Sequence, residues 1–293
     1  MVKTYADLYL DARKAMLPTD GMYAANMARE LLCAASGKSA EAIIADRNLY
    51  ASEEICLKME NLVRRHLAGE PMAYLLGQWD FYDMTLTVTP DVLIPRDDTM
   101  AVTELAIKKA LFLPQNPRIL DLCTGSGCIG LAVARRVKDA KVTLSDLSPD
   151  ALRVAKKNVT DLRLGGRVSC VLVDVRKPAA PFLGKFDLIV SNPPYVTTAE
   201  MEALDPSVRD FEPHLALHGG EDGLDYYRAI LRNFTPALRP GGCLALEFGM
   251  GQEEAVCALL TEADYRILEL REDNSGIPRA VLAQYGEEEI KEE

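Results

Sequence analysis

Two hydrophobic periodicities divide the chain. From residue 3 to about residue 70, apolar positions recur at helical spacing: Ala24, Met27, Ala28, Leu31 and Leu32, then Ile55, Met59, Leu62 and Val63. Ala, Leu, Met, Glu, Lys and Arg dominate this stretch, with single breaks at Pro18, Gly21 and Gly37. The pattern predicts several short helices packed as a small bundle and ending near Gly69-Glu70-Pro71, with a helix start at Ser52. Residues 78–95 change character. Trp79, Phe81 and Tyr82, followed by Thr85-Leu86-Thr87-Val88-Thr89, are aromatic or β-branched and predict a hairpin whose core would take Trp79. Asp91-Val92-Leu93-Ile94-Pro95-Arg96 then reads as a joint that lines a site.

From Arg118 onward strands alternate with helices. Strands are expected at 118–122, 141–146, 168–175, 186–191 and 243–248, and two final ones at 265–270 and 279–285. Ser148-Pro149 is a helix start, with serine as cap and proline in the first turn. Residues 222–238 and about 253–263 read as helical. The alternation predicts an α/β fold with a doubly wound, mostly parallel seven-stranded sheet. The last two strands are separated only by Asn274-Ser275-Gly276, so they should form a C-terminal antiparallel hairpin at one edge. The expected organisation is a helical bundle at 1–75, a hairpin linker at 76–98, a sheet domain at 99–286 and an acidic tail at 287–293.

Bulk properties exclude several classes. The 48% hydrophobic content is too high for disorder, and no apolar run has the roughly 20 residues of a membrane span. Met1 to Leu10 lacks a basic segment followed by an apolar one, so no signal peptide is expected. Seven cysteines without paired spacing read as reduced thiols, with Cys123, Cys128, Cys170 and Cys243 in or beside apolar runs; a cytoplasmic setting is expected. The net charge is −11, of which the tail supplies −4. That balance disfavours a broad duplex-binding surface. No nucleic-acid or membrane partner is expected, and the chain is expected to be a monomer.

Candidate chemistry lies at the strand ends. Asp121 precedes a turn, Cys123-Thr124-Gly125-Ser126-Gly127, whose glycines admit a ligand close to the backbone. Gly130 has the spacing of a third glycine, so this loop alone leaves a nicotinamide or flavin reading open. Asp146, at the next strand end, is placed to hold ribose hydroxyls. The discriminating stretch is Asn192-Pro193-Pro194-Tyr195, directly after the strand ending at Ser191. Two prolines hold it rigid. It is expected to leave the Asn192 amide and one face of Tyr195 free. The Asn192 side-chain oxygen and the Pro193 carbonyl can each accept one N–H of a planar nitrogen and aim its lone pair at a methyl donor. Asp174 closes the third strand on the same edge. His214 and His218 have helical metal-ligand spacing, but Pro213 and Gly219-Gly220 flank them and no third ligand is evident, so no metal is expected.

These residues resemble the N5-glutamine methyltransferases that modify peptide chain release factors, the HemK type. The resemblance is carried by Glu70-Pro71-Met72-Ala73-Tyr74-Leu75-Leu76-Gly77, by Leu93-Ile94-Pro95-Arg96-Asp97-Asp98-Thr99 and by Ile119 to Gly127. Ser191 to Tyr195 and Phe211-Glu212-Pro213 complete it. It implies a Rossmann-like methyltransferase sheet, S-adenosylmethionine as donor and the glutamine of a Gly-Gly-Gln loop as acceptor, with the helical bundle helping to hold the release factor. On the donor side it implies Asp121, Cys123, Thr124, Gly125, Ser126, Gly127, Asp146, Asp174 and Asn192. On the acceptor side it implies Asn192, Pro193, Pro194 and Tyr195, with Asn192, Pro193 and Tyr195 catalytic. The chain departs from the family at three positions: Cys123 replaces a common glycine, Met100 a common acid, and Val175 an aromatic. Asn-Pro-Pro-Tyr is shared with adenine-N6 DNA methyltransferases. The alternatives are therefore a DNA or RNA adenine enzyme, or an inactive binding module on the same fold.

Overall fold

Thr4 opens the first helix with a reciprocal cap: its hydroxyl accepts the Asp7 amide at 3.1 Å, and the Asp7 carboxylate accepts the Thr4 amide at 2.9 Å. In the computed structural model, which describes residues 2–286, this begins a bundle of α1 (Tyr5–Asp20), α2 (Ala24–Ser36), α3 (Ala40–Ala45), α4 (Glu53–Leu67) and α5 (Met72–Leu76). The expected acidic tail at 287–293 lies outside the described residues. Leu8, Met16, Leu31, Leu32 and Met59 fill the bundle core, each buried. Ser52 caps α4, and Gly77 ends α5 in the left-handed conformation.

Next come β1 (Gln78–Phe81) and β2 (Met84–Thr87), paired as the expected hairpin. Phe81, Met84 and Leu86 supply its buried face, whereas Trp79 is 38% exposed and takes no part in that core. The chain continues through α6 (Met100–Leu111), β3 (Arg118–Leu122), α7 (Cys128–Arg136), β4 (Lys141–Asp146), α8 (Pro149–Asp161) and β5 (Val168–Leu172). It then forms β6 (Phe186–Ser191), α9 (Thr198–Met201), α10 (Pro206–Arg209), α11 (Asp225–Phe234) and β7 (Leu238–Glu247). The last elements are α12 (Glu253–Glu262), β8 (Tyr265–Glu272) and β9 (Pro278–Tyr285). Helix α11 is shorter than the 222–238 pattern suggested: it begins only at Asp225, and after Phe234 the chain tightens into a 3₁₀ turn that contains Pro236. Two compact units result: Met1–Gln78 with Asp205–Phe211, which contains α10, and Trp79–Leu204 with Glu212–Glu293.

The large sheet has the order β5-β4-β3-β6-β7-β9-β8. Its pairings are parallel from β5 to β7, and β9 runs antiparallel between β7 and β8. Strand alternation splits the core in two. Ile119, Leu188, Val190, Cys243 and Leu282 face the cluster built with α6, α7 and the β1–β2 hairpin. Leu120, Ile189, Leu244 and Val281 face the cluster built with α11 and α12. Each such fully buried side chain contributes roughly 1.5–3 kcal/mol. Among the described residues, no helix is long and apolar enough to cross a membrane.

Helix α7 crosses the sheet closely. A Cβ on Gly130 would stand 2.3 Å from Leu144 Cδ2 and 2.9 Å from Asp121 Oδ2. Gly130→Ala is therefore expected to cost about 1–3 kcal/mol by overpacking, read as a lower urea midpoint with an unchanged slope.

Candidate active site

The strand order reverses between β3 and β6, which places a crevice beyond their carboxyl ends, where open α/β sheets bind ligands. The Ser191 hydroxyl donates to the Leu122 carbonyl at 2.7 Å and ties the two strand ends together. Cys123 then turns the chain with φ of 55°, a left-handed conformation that favours glycine.

Asp121 shapes the loop that follows. It is fully buried, and its Oδ2 accepts the Thr124 hydroxyl at 2.6 Å and the Gly130 amide at 2.9 Å. Burial pushes its carboxyl up to about 7, against the pull of these two hydrogen bonds. Asp146 holds the loop from the next strand: its two oxygens accept the Gly125 and Ser148 amides, each at 2.9 Å. Burial raises its pKa as well. Asn158 on α8 joins the loop to β2, donating to the Ser126 and Thr87 carbonyls at 2.9 and 3.0 Å and accepting the Thr87 amide at 2.7 Å.

Around one cavity the fold gathers Cys123, Thr124, Gly125, Ser126, Asp146, Asp174, Asn192 and Pro194. Four other expected site residues do not line it. Asp121 and Gly127 sit behind the loop, where Asp121 bonds it and Gly127 caps α7. Pro193 is buried, and Tyr195 is half-buried against the α11–α12 core. Asp174 lines the cavity, but Arg176 Nε donates to its carboxylate at 2.9 Å and holds its pKa below the ordinary value. The cavity wall also includes Leu147, Val175 and Tyr226, which the sequence motifs did not single out as site residues. Val92, Leu93 and Pro95 close another side, as the joint segment suggested. Arg96 is not free for a ligand: it pairs with the buried Glu212 carboxylate, which also accepts the Ile94 amide at 3.1 Å.

The Asn192 amide is not free either, contrary to the sequence expectation. Its Nδ2 donates to the Thr99 hydroxyl oxygen at 3.2 Å. The loop backbone packs on glycines. A Cβ on Gly219 would lie 2.7 Å from the Pro194 carbonyl oxygen, and one on Gly223 2.4 Å from the Tyr195 carbonyl oxygen. Gln252 donates to that Tyr195 oxygen at 3.0 Å. His218, one of the paired histidines, bonds the Thr198 hydroxyl at 3.0 Å. Sequence reasoning missed Thr99 and Glu247. Glu247 ends β7, is 1% exposed, and faces Thr99 and Asn192. Burial pushes its carboxyl up to about 8. The only available signal was an acid closing the apolar run Cys243 to Leu246.

The raised Glu247 pKa carries a stability consequence. Between the ordinary carboxyl value of about 4.3 and the folded value, the folded chain retains a proton that the unfolded chain has released, so stability falls as pH rises through that window. Glu247→Gln lacks this titration. Its unfolding free energy relative to the wild type is expected to increase by a few kcal/mol between about pH 5 and about pH 8 and then level off, measured by urea unfolding across pH.

Residues 102–220 match the family model described as "Methyltransferase small domain", and residues 10–77 match "PrmC N-terminal domain". The release factor glutamine methyltransferase of Geobacter sulfurreducens is 37% identical over 278 residues, covering 94% of this chain and 95% of its own. That of Bordetella pertussis is 45% identical over 221 residues, covering 74% and 79%. In fold alone, the chain resembles a methyltransferase from Pyrococcus furiosus, with a TM-score of 0.52 and 18% identity over 78% of this chain and 100% of that one.

Proposed function

The chain belongs to the release factor glutamine methyltransferase family, and we propose that it transfers the methyl group of S-adenosylmethionine to N5 of the glutamine in a release factor's Gly-Gly-Gln loop. The observation that carries this reading is the Asn192 loop standing beside a glycine-loop cavity at the switch point of the sheet. The wall chemistry fits the donor. A carboxylate at Asp146 suits ribose hydroxyls, while Leu147, Val175 and the Tyr226 ring offer apolar surface for a planar base. When bound, the donor supplies an electrophilic methyl carbon.

The chain's own residues then have to present the acceptor. An amide nitrogen is planar and its lone pair is delocalised, so it is a poor nucleophile. In this proposal the Asn192 Oδ1 and the Pro193 carbonyl each accept one N–H, which directs the lone pair along the transfer axis and favours a pyramidal nitrogen in the transition state. Pro193 and Pro194 have no N–H to compete for those acceptors. This reading assigns the Tyr195 ring to the acceptor side. Burial keeps its hydroxyl protonated, so it serves as a wall rather than a base. No prior deprotonation is needed, because the alkylated nitrogen is strongly acidic and sheds its proton after transfer. The helical bundle is proposed to help hold the release factor.

Incubation with labelled S-adenosylmethionine and a release factor is expected to label the Gly-Gly-Gln peptide; label in adenine of a DNA control instead would refute the glutamine assignment. Asn192→Ala is expected to lower turnover by about a hundredfold or more while donor affinity, measured by calorimetry, stays near that of the wild type. An equal loss of both would move Asn192 to a role in donor binding or folding.

A further inference from the structure

Glu247 is a poor residue for stability where it stands. It is 1% exposed, it closes β7, and its Oε2 has no hydrogen-bond partner among the described residues. A buried carboxyl in that state costs free energy unless it does something an apolar side chain cannot. The groups that face it are specific. The Thr99 hydroxyl and the Asn192 amide both act on its carboxyl, Arg279 on β9 and Asp98 before α6 act at longer range, and the Tyr227 hydroxyl on α11 donates to its backbone carbonyl at 2.9 Å.

Donor and acceptor accounting follows from these neighbours. The Thr99 oxygen is occupied by Asn192 Nδ2 at 3.2 Å, so its single O–H is left to donate elsewhere, and Glu247 is the acceptor facing it. The second N–H of Asn192 also has Glu247 as its facing acceptor. Glu247, which follows the Leu246 paired with Ser191, keeps an acceptor oxygen even when protonated, so with Asn192 Nδ2 on the Thr99 oxygen both inner partners accept, and the nitrogen half of the Asn192 amide is drawn inward. A side-chain amide with its nitrogen inward has its oxygen outward. That is the orientation an acceptor of substrate N–H needs. A flipped amide would present two donors to another NH₂ and hold nothing.

We infer that Glu247 is a positioning residue which, through Thr99, fixes the flip of the Asn192 amide so that Oδ1 faces the acceptor nitrogen. The inference rests on the reading of Asn192 given above. It gives a role to an acid at a buried strand end, and it makes Thr99 the relay.

The test compares Glu247→Leu, Glu247→Gln and Thr99→Val with the wild type. Turnover is scored on whichever acceptor the wild type labels, release factor or adenine DNA, so a wrong acceptor assignment is seen separately in the wild type. Glu247→Leu is expected to lose about a hundredfold in kcat, with donor affinity within about twofold and no loss of thermal stability. Glu247→Gln keeps a carbonyl acceptor and should remain within about threefold of wild-type kcat. Thr99→Val should fall with Glu247→Leu. Wild-type turnover by Glu247→Leu would overturn the inference, and so would a donor affinity that falls in step with kcat. Should Glu247→Leu fail to fold, a folded Glu247→Gln without activity, or a fully active Thr99→Val, overturns it equally.

Discussion

The cavity depends on one buried carboxylate doing two jobs. Asp121 Oδ2 accepts the Thr124 hydroxyl and the Gly130 amide, so a single oxygen joins the end of β3, the turn and the first turn of α7. The approach is possible only because Gly130 has no Cβ to strike that oxygen and Leu144 behind it. Asp146 then fastens the turn from β4 through the Gly125 amide, and Asn158 fastens it from α8. The turn is thereby fixed from three directions without blocking the side that faces the cavity. Charge buried for this purpose is costly. Burial, with a smaller push from Asp146, raises the Asp121 pKa to about 7 against the pull of its two hydrogen bonds, which replace only part of the lost hydration.

Much of the fold was legible in local pattern, because the forces that set it act over short spans. Continuous apolar runs such as Ile119-Leu120 and Leu188-Ile189 declare strands buried on both faces, and they do divide between two cores. Ser148-Pro149 marks a helix start because cap chemistry is local. Other features depend on partners far along the chain. Trp79 reads as core by composition, yet Phe81 and the inward residues of β2 take that place. The grouping of Asp205–Phe211 with the helical unit has no local mark.

At the site, the motif residues were legible as types and positions, but their division of labour was not. Asp121 stands in the loop motif like a ligand-binding acid, yet it serves the loop itself. Arg96 stands in the joint segment before the site, yet Glu212, more than a hundred residues on, engages it. Thr99 closes a motif that gave it no role, and Glu247 belongs to none. Only the pairing of β6 with β7, and the packing of the segment before α6, brings them to Asn192. Local rules fail where a buried polar group is satisfied by tertiary neighbours, and those are the positions where function and stability diverge.

Cysteine at position 123 has a further consequence. A left-handed turn at the mouth of a ligand site is a place where glycine is inert, whereas a thiol is an alkylatable group. Ionised, it would be a sulfur nucleophile able to attack electrophilic carbon. Burial, reinforced by the negative charge of Asp146, drives the Cys123 pKa far above the ordinary thiol value. The same desolvation that raises the pKa of the neighbouring acids holds this thiol in its protonated, less nucleophilic form.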